Sequence, residues 1–225
     1  MDLNKTSWET SRSVKEHDDK RLRYGEIELL KRHFSKSGKI LDLGCGSGRT
    51  SIHLHERGFD VDAMDYSEAM IAQAKKDYPQ IRFHVMDAAD LKFPDSYFDY
   101  ALFSFNGLDY LLPEEQRTKA LQEIHRVLKP GGLFAFSSHN ARFIPNSFGR
   151  WGGFIRSIIR GYVSPYRLEL HSFGPLVTYY ISPKKEFDEL RSAGFEPLDL
   201  ISKFSKEFDE IAKKDPYPMY VCRKS

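Results

Sequence analysis

A chain of 225 residues, with 34 basic and 32 acidic side chains and a formal charge of +2, has room for one larger core but not for two full domains. It also lacks a global field of one sign that would recruit nucleic acid or an anionic membrane. Its two cysteines, Cys45 and Cys222, belong to no CxxC or Cys/His spacing, so neither a disulfide framework nor a metal site is expected. The N-terminus is polar, and no apolar run reaches the roughly 18 residues a membrane span needs, which reads as a cytoplasmic protein.

Residues 9 to 33 are rich in charge, with apolar positions sparse until Tyr24, Ile27, Leu29 and Leu30. This suits a helix over the edge of a core, and residues 1–35 are expected to form an N-terminal helical lid. KILDLG is the first strand, and a helix from about Gly48 to Arg57 follows a glycine-rich turn. FDVDAMD is the second strand; Ser67 then caps a helix through Met70, Ile71 and Ala74. IRFHVMD and YFDYALFSF are the third and fourth strands. Pro113, Glu114 and Glu115 open a long helix with Leu121, Ile124 and Leu128 as its buried stripe. LKPGG stops that helix and LFAFSS returns as strand five. SPKKEFDELRSAGF is a last helix, followed by strands at PLDLISKF and YPMYVCRK. The alternation implies parallel strands joined by crossover helices. Residues 140–178 read as irregular.

ILDLGCGSGRT places a strand, a turn and a helix start in succession, with Gly44, Gly46 and Gly48 in GxGxG spacing and not in the GxGxxG of dinucleotide sites. Asp42, just before the turn, would repel a pyrophosphate but suits an ammonium group. Asp65 ends strand two, where an acid accepts hydrogen bonds from ribose hydroxyls. A cationic, ribose-bearing ligand without phosphate satisfies both.

The segment resembles motif I of the class I S-adenosylmethionine-dependent methyltransferases, and the later elements agree in order over about 36–138 and 180–223. The resemblance implies a Rossmann-like α/β fold: a doubly wound, mostly parallel seven-stranded sheet with helices on both faces and an antiparallel last strand. It implies S-adenosyl-L-methionine as cofactor, with Asp42, Gly44, Cys45, Gly46 and Ser47 around the methionine moiety and Asp65 with Tyr66 at the ribose. Asp87 would face the adenine amino group, with the Ala88 backbone beside the ring and the backbone near Phe105 facing the methionine ammonium.

Missing chemistry bears on the acceptor. Phe105-Asn106-Gly107-Leu108 stands where amide and adenine N-methylation uses a polar-Pro-Pro-aromatic turn, and no cysteine nucleophile for cytosine C5 lies nearby. Between Ala141 and His171 there are five arginines, one acid and six aromatics, a composition suited to a substrate cap over 140–178. Arg150, Arg156, Arg160, His171 and Tyr180 are the candidate substrate-binding residues, and His139 and Tyr110 the candidate catalytic ones. Methyl transfer depends mainly on alignment, and needs a base only when the acceptor must lose a proton. The expectation is one 1–225 domain transferring a methyl group to a small or medium-sized, acidic or aromatic acceptor, without nucleic acid. A protein or RNA methyltransferase and a non-catalytic cofactor-binding protein are the alternatives.

Overall fold

Ile40, Leu41 and Leu43 are fully buried, as befits a strand covered on both faces by helices. This first strand, β1 (Lys39–Leu43), lies in the interior of the sheet. The computed structural model describes residues 3–10, 20–143 and 165–225. Within them the main sheet has seven strands in the order β3-β2-β1-β4-β5-β9-β8. Besides β1 these are β2 (Asp60–Asp65), β3 (Arg82–Val85), β4 (Phe98–Phe103), β5 (Leu128–Ser137), β8 (Phe195–Ile201) and β9 (Met219–Lys224). The strands from β1 to β5 pair in parallel, and β9 runs antiparallel between β5 and β8. The single reversed strand is thus the last, as the resemblance implied.

The helices are α1 (Leu3–Trp8), α2 (Tyr24–Arg32), α3 (Arg49–Glu56), α4 (Glu68–Asp77), α5 (Glu114–Val127), α6 (Pro183–Ser192) and α7 (Phe208–Lys214). Alternate residues of the strands feed two cores. On one face Leu41, Leu43, Phe98 and Phe136 pack with Leu121, Ile124 and Val127 of α5 and Leu190 of α6. On the other Ile40, Val61, Ala63 and Val221 pack with Leu29 of α2, Leu54 of α3 and Ile71 and Ala74 of α4. Ser67 caps α4 by accepting the Met70 amide at 3.3 Å, and Ser182 caps α6 in the same way, with Pro183 in its first turn.

The expected elements differ from the observed ones in a few places. Helical structure in the charged N-terminal stretch is confined, among the described residues, to α1 and to α2 from Tyr24. β5 begins at Leu128, so LKPGG belongs to a strand whose register against β4 shifts between Phe98 and Tyr100. The 140–178 stretch contains a hairpin, β6 (Tyr166–His171) and β7 (Gly174–Tyr179). Its apolar alternation is inverted: Leu168 and Leu170 are 61% and 85% exposed, while Arg167 and Glu169 are half-buried. A short 3-10 helix, Gly107–Tyr110, follows β4.

The order of connections reverses between β1 and β4. A doubly wound sheet opens its ligand crevice at such a reversal, beyond the carboxyl ends of the strands.

Candidate active site

The turn after β1 needs all three of its glycines, each with positive φ: +57° at Gly44, +55° at Gly46 and +91° at Gly48. Their spatial roles differ. A Cβ on Gly44 would lie 2.6 Å from the Phe103 ring, and one on Gly48 2.9 Å from Tyr78, so these two let β4 and the end of helix α4 come close to the turn. A Cβ on Gly46 would meet nothing nearer than Met70 Sδ at 4.0 Å. Gly46 borders a cavity of about 310 Å³.

The loop is tied to β2 through backbone donors. Cys45 N–H donates to the Met64 carbonyl at 3.0 Å, and Gly46 N–H to Asp65 Oδ2 at 2.9 Å. Asp65 Oδ1 accepts the Ser67 amide at 2.9 Å. Burial pushes the Asp65 carboxyl up to about 6, against these backbone hydrogen bonds, which favour its charged form. Burial likewise raises the Cys45 thiol, as suits a filler of the loop more than a nucleophile.

Gly44, Cys45, Gly46, Ser47, Asp65, Tyr66, Asp87, Ala88, Phe105 and Tyr110 all line this cavity. Asp87 is exposed, and its Oδ1 also accepts the Ala89 amide at 2.8 Å. Asp42 does not line it. Its Oδ2 accepts the Thr50 and Ser51 hydroxyls at 2.7 and 2.6 Å, anchoring the first turn of α3. Its Oδ1 is buried without a partner, and burial raises the carboxyl to about 6.

Sequence reasoning missed the residues that close the cavity from α1 and α2. Glu26, 1% exposed, forms a two-point ion pair with Arg49, both contacts at 2.6 Å, and accepts the Ser104 hydroxyl and the Arg23 amide. Arg23 and Arg49 lie 5.5 and 5.8 Å from the Phe105 ring and line the cavity with it. Phe105 and Asn106 hold φ of +56° and +61°, an uncommon conformation for non-glycine residues. Trp8 of α1 also lines the cavity, edge-on to Tyr110. α1 is held on both sides: Asn4 bonds the Tyr110 and Val177 carbonyls at 2.9 Å each, and Glu9 accepts the Glu68 amide of α4 at 3.1 Å. Glu26 accepting the Arg23 amide is the acidic half of a capping box, but Arg23 has no side-chain acceptor to complete it, so no sequence pattern marks this clasp.

Beside Tyr110 lies a buried charge cluster. Arg117 of α5, 1% exposed, pairs with Asp109 at 3.0 Å, with Glu186 in a close contact, and with Glu189 at 3.2 Å. The Ser138 hydroxyl lies within hydrogen-bond distance of both Asp109 at 3.0 Å and Glu186 at 3.1 Å. His139 is buried, and its backbone N–H and ring Nδ1 meet Asp109 Oδ2 at 2.6 and 2.8 Å. Burial pushes the Glu186 carboxyl up to about 7, opposed by Arg117. Burial also raises the Tyr110 hydroxyl.

Of the other sequence candidates, His139 packs against Tyr110, Tyr180 and Tyr217 and is not part of the cavity lining. Tyr180 donates to Glu169 at 2.5 Å beneath the Arg167 guanidinium, 3.7 Å from its ring centre. His171 stacks on Phe173 in the hairpin, away from the cavity lining. Arg150, Arg156 and Arg160 lie outside the described residues. No described helix is long and apolar enough to cross a membrane.

A sheet of this order with a glycine turn bound to the acid ending β2 defines a Rossmann-like fold of the methyltransferase type. Residues 40–132 match the family model described as a methyltransferase domain, so this part of the chain is similar to methyltransferase domains. A demethylmenaquinone methyltransferase of Paenarthrobacter aurescens is 36% identical over 107 residues, 48% of this chain and 41% of that protein. The chain spans about half the length of the curated relatives it matches. Among solved structures, an S-adenosylmethionine-dependent methyltransferase of Methanosarcina mazei superposes with a TM-score of 0.70 at 20% identity, over 87% of this chain and 96% of that one. The 1,6-didemethyltoxoflavin-N1-methyltransferase of Burkholderia thailandensis, with 1,6-didemethyltoxoflavin and S-adenosylhomocysteine bound, gives 0.64 at 22% identity, over 97% and 84%.

Proposed function

We propose that the chain binds S-adenosylmethionine in the cavity at β1, β2 and β4 and transfers its methyl group to a small or medium-sized molecule. One observation carries this reading: the Gly46 amide and the Asp65 carboxylate are joined at 2.9 Å on the border of a cavity that has no side chain at Gly46. That arrangement leaves bare backbone for a thioether or sulfonium chain and an acid for ribose hydroxyls. Arg23 and Arg49 suit the carboxylate end of the same ligand, and Asp87 with Ala88 suits the adenine.

When bound, the cofactor supplies a methyl group on a sulfonium, so the leaving group needs no protonation. The residues of the chain then have to hold the acceptor in line and exclude water. Trp8 and Tyr110 form the wall that does so in this reading, with α1 as the lid behind the ligand. Residues 140–178 act as the cap on the acceptor side, and the arginines there favour an acidic or aromatic molecule. Relatives named for demethylmenaquinone and for 1,6-didemethyltoxoflavin support a small acceptor.

The test is incubation of the full chain with methyl-labelled S-adenosylmethionine and fractionated cell extract. Label in the small-molecule pool is expected. Label in protein or RNA pools would replace the acceptor class, and cofactor binding with no labelled pool would make this a non-catalytic binding protein.

A further inference from the structure

Glu26 joins three walls of the cavity without lining it. Its Oε1 accepts Arg49 Nη2 at 2.6 Å and the Ser104 hydroxyl, and its Oε2 accepts Arg49 Nη1 at 2.6 Å and the Arg23 amide at 2.7 Å. Arg23, Arg49 and Ser104 do line the cavity. They come from the residue before α2, the first turn of α3 and the loop after β4. A carboxylate removed from water is costly unless it is paired and hydrogen-bonded, and these donors meet that cost. Docking of α2 alone does not call for it, because Leu29, one turn on, already anchors the helix in the apolar core.

What the acid fixes is a pair of guanidinium groups. Those of Arg23 and Arg49 stand 5.5 and 5.8 Å from the centre of the Phe105 ring. Two cations gathered at one ring repel each other, and the carboxylate paired with Arg49 offsets that repulsion. Its two-point contact sets the plane of the Arg49 guanidinium, while its contact with the Arg23 amide sets the backbone from which the second guanidinium projects. Ser104, held by the same carboxylate, immediately precedes Phe105 and Asn106, whose left-handed φ values are the kind of local strain that collects at functional sites.

We propose that Glu26 is a positioning residue that holds the Arg23 and Arg49 guanidinium groups for the carboxylate of the cofactor's amino-acid end. It thereby sets the preference of the cavity for a thioadenosine that carries this end over one that lacks it. This rests on the reading of the cavity as the S-adenosylmethionine site.

The test is calorimetric titration of the full chain with S-adenosylhomocysteine and with methylthioadenosine, which keeps the adenine, ribose and thioether sulfur but has no amino-acid end. The wild type is expected to bind S-adenosylhomocysteine more tightly. Glu26→Gln keeps the size of the side chain and should weaken S-adenosylhomocysteine by about tenfold or more, as suits lost charge-assisted hydrogen bonds, with methylthioadenosine affinity within about twofold of wild type. A clasp that only holds the fold together would lower both affinities alike, so equal loss for the two ligands, or loss for neither, overturns the proposal. Glu26→Asp keeps the charge but is a methylene too short to reach every donor. It should show the same split to a smaller degree, and equal loss there also overturns the proposal. Equal affinity of the wild type for the two ligands does so too, and that result needs no variant to fold. A wild type that binds neither ligand removes the cofactor reading and the proposal together.

Discussion

The two sides of the crevice are held by opposite means. At the turn between β1 and β2, the buried acid of the cavity is met by backbone: Asp65 takes its hydrogen bonds from the Gly46 and Ser67 amides. On the side of β5, polar groups are met by side chains far apart in sequence, with Asp109, Arg117, Ser138 and Glu186 brought together from four elements. A site built from backbone depends on a few φ angles and is written in one short segment. A site built from buried charges depends on balance, and removing one member leaves the others exposed to the full cost of burial.

The difference can be broken most forcefully at Arg117. Arg117→Met leaves Asp109 and Glu186 buried with no cation between them, and should cost about 3–5 kcal/mol in urea unfolding. A loss below about 1 kcal/mol would mean that the cluster is not held by charge. On the backbone side Asp65→Ala should weaken S-adenosylhomocysteine binding by about 1–3 kcal/mol, read by calorimetry, by removing the acceptor for its hydroxyls. Gly46→Ala should cost about 1–2 kcal/mol of stability for its left-handed φ. It should also weaken the ligand by about tenfold or more, because the new methyl group stands at the cavity border; full affinity would place the ligand elsewhere.

The pH dependence sharpens the same contrast with a smaller effect. Burial raises Asp42 and Asp65 to about 6 and Glu186 to about 7. The folded chain therefore holds protons that the unfolded chain has released, and the stability these groups contribute is lost as pH rises from the ordinary carboxyl range through about 6–7. Glu186→Gln should flatten that decline in thermal unfolding, and an unchanged slope would remove Glu186 as its source. Ligand affinity should run the other way, rising with pH through about 6 as Asp65 becomes the better acceptor for hydroxyls.

The same distinction governs what the sequence reveals. The glycine turn, Asp65, Ser67 as a cap and the succession of strands and helices could be read because their causes are local: spacing, capping and apolar periodicity; the form of the sheet came from the family resemblance. Nine of the ten cofactor residues chosen from sequence line one cavity, and Asp42, the exception, faces α3. The hairpin of β6 and β7 was hidden because Leu168 and Leu170 point outward and Arg167 and Glu169 inward. Arg117 lies on a helix whose other charges suggest a solvated face, and nothing within its own turn marks it as buried. Its partners Asp109 and Glu186 stand 8 and 69 residues away, and Glu26 meets Arg49 across 23. Pairings of that kind are decided by packing, not by pattern.

The central claim, that the β1–β2–β4 cavity holds S-adenosylmethionine, is tested most directly by calorimetric titration of the full chain with S-adenosylhomocysteine and, separately, with NADH. Saturable binding of S-adenosylhomocysteine at one site, weakened in Asp65→Ala, is the expected result. Binding of NADH in its place, or S-adenosylhomocysteine affinity that ignores the Asp65 substitution, would contradict it.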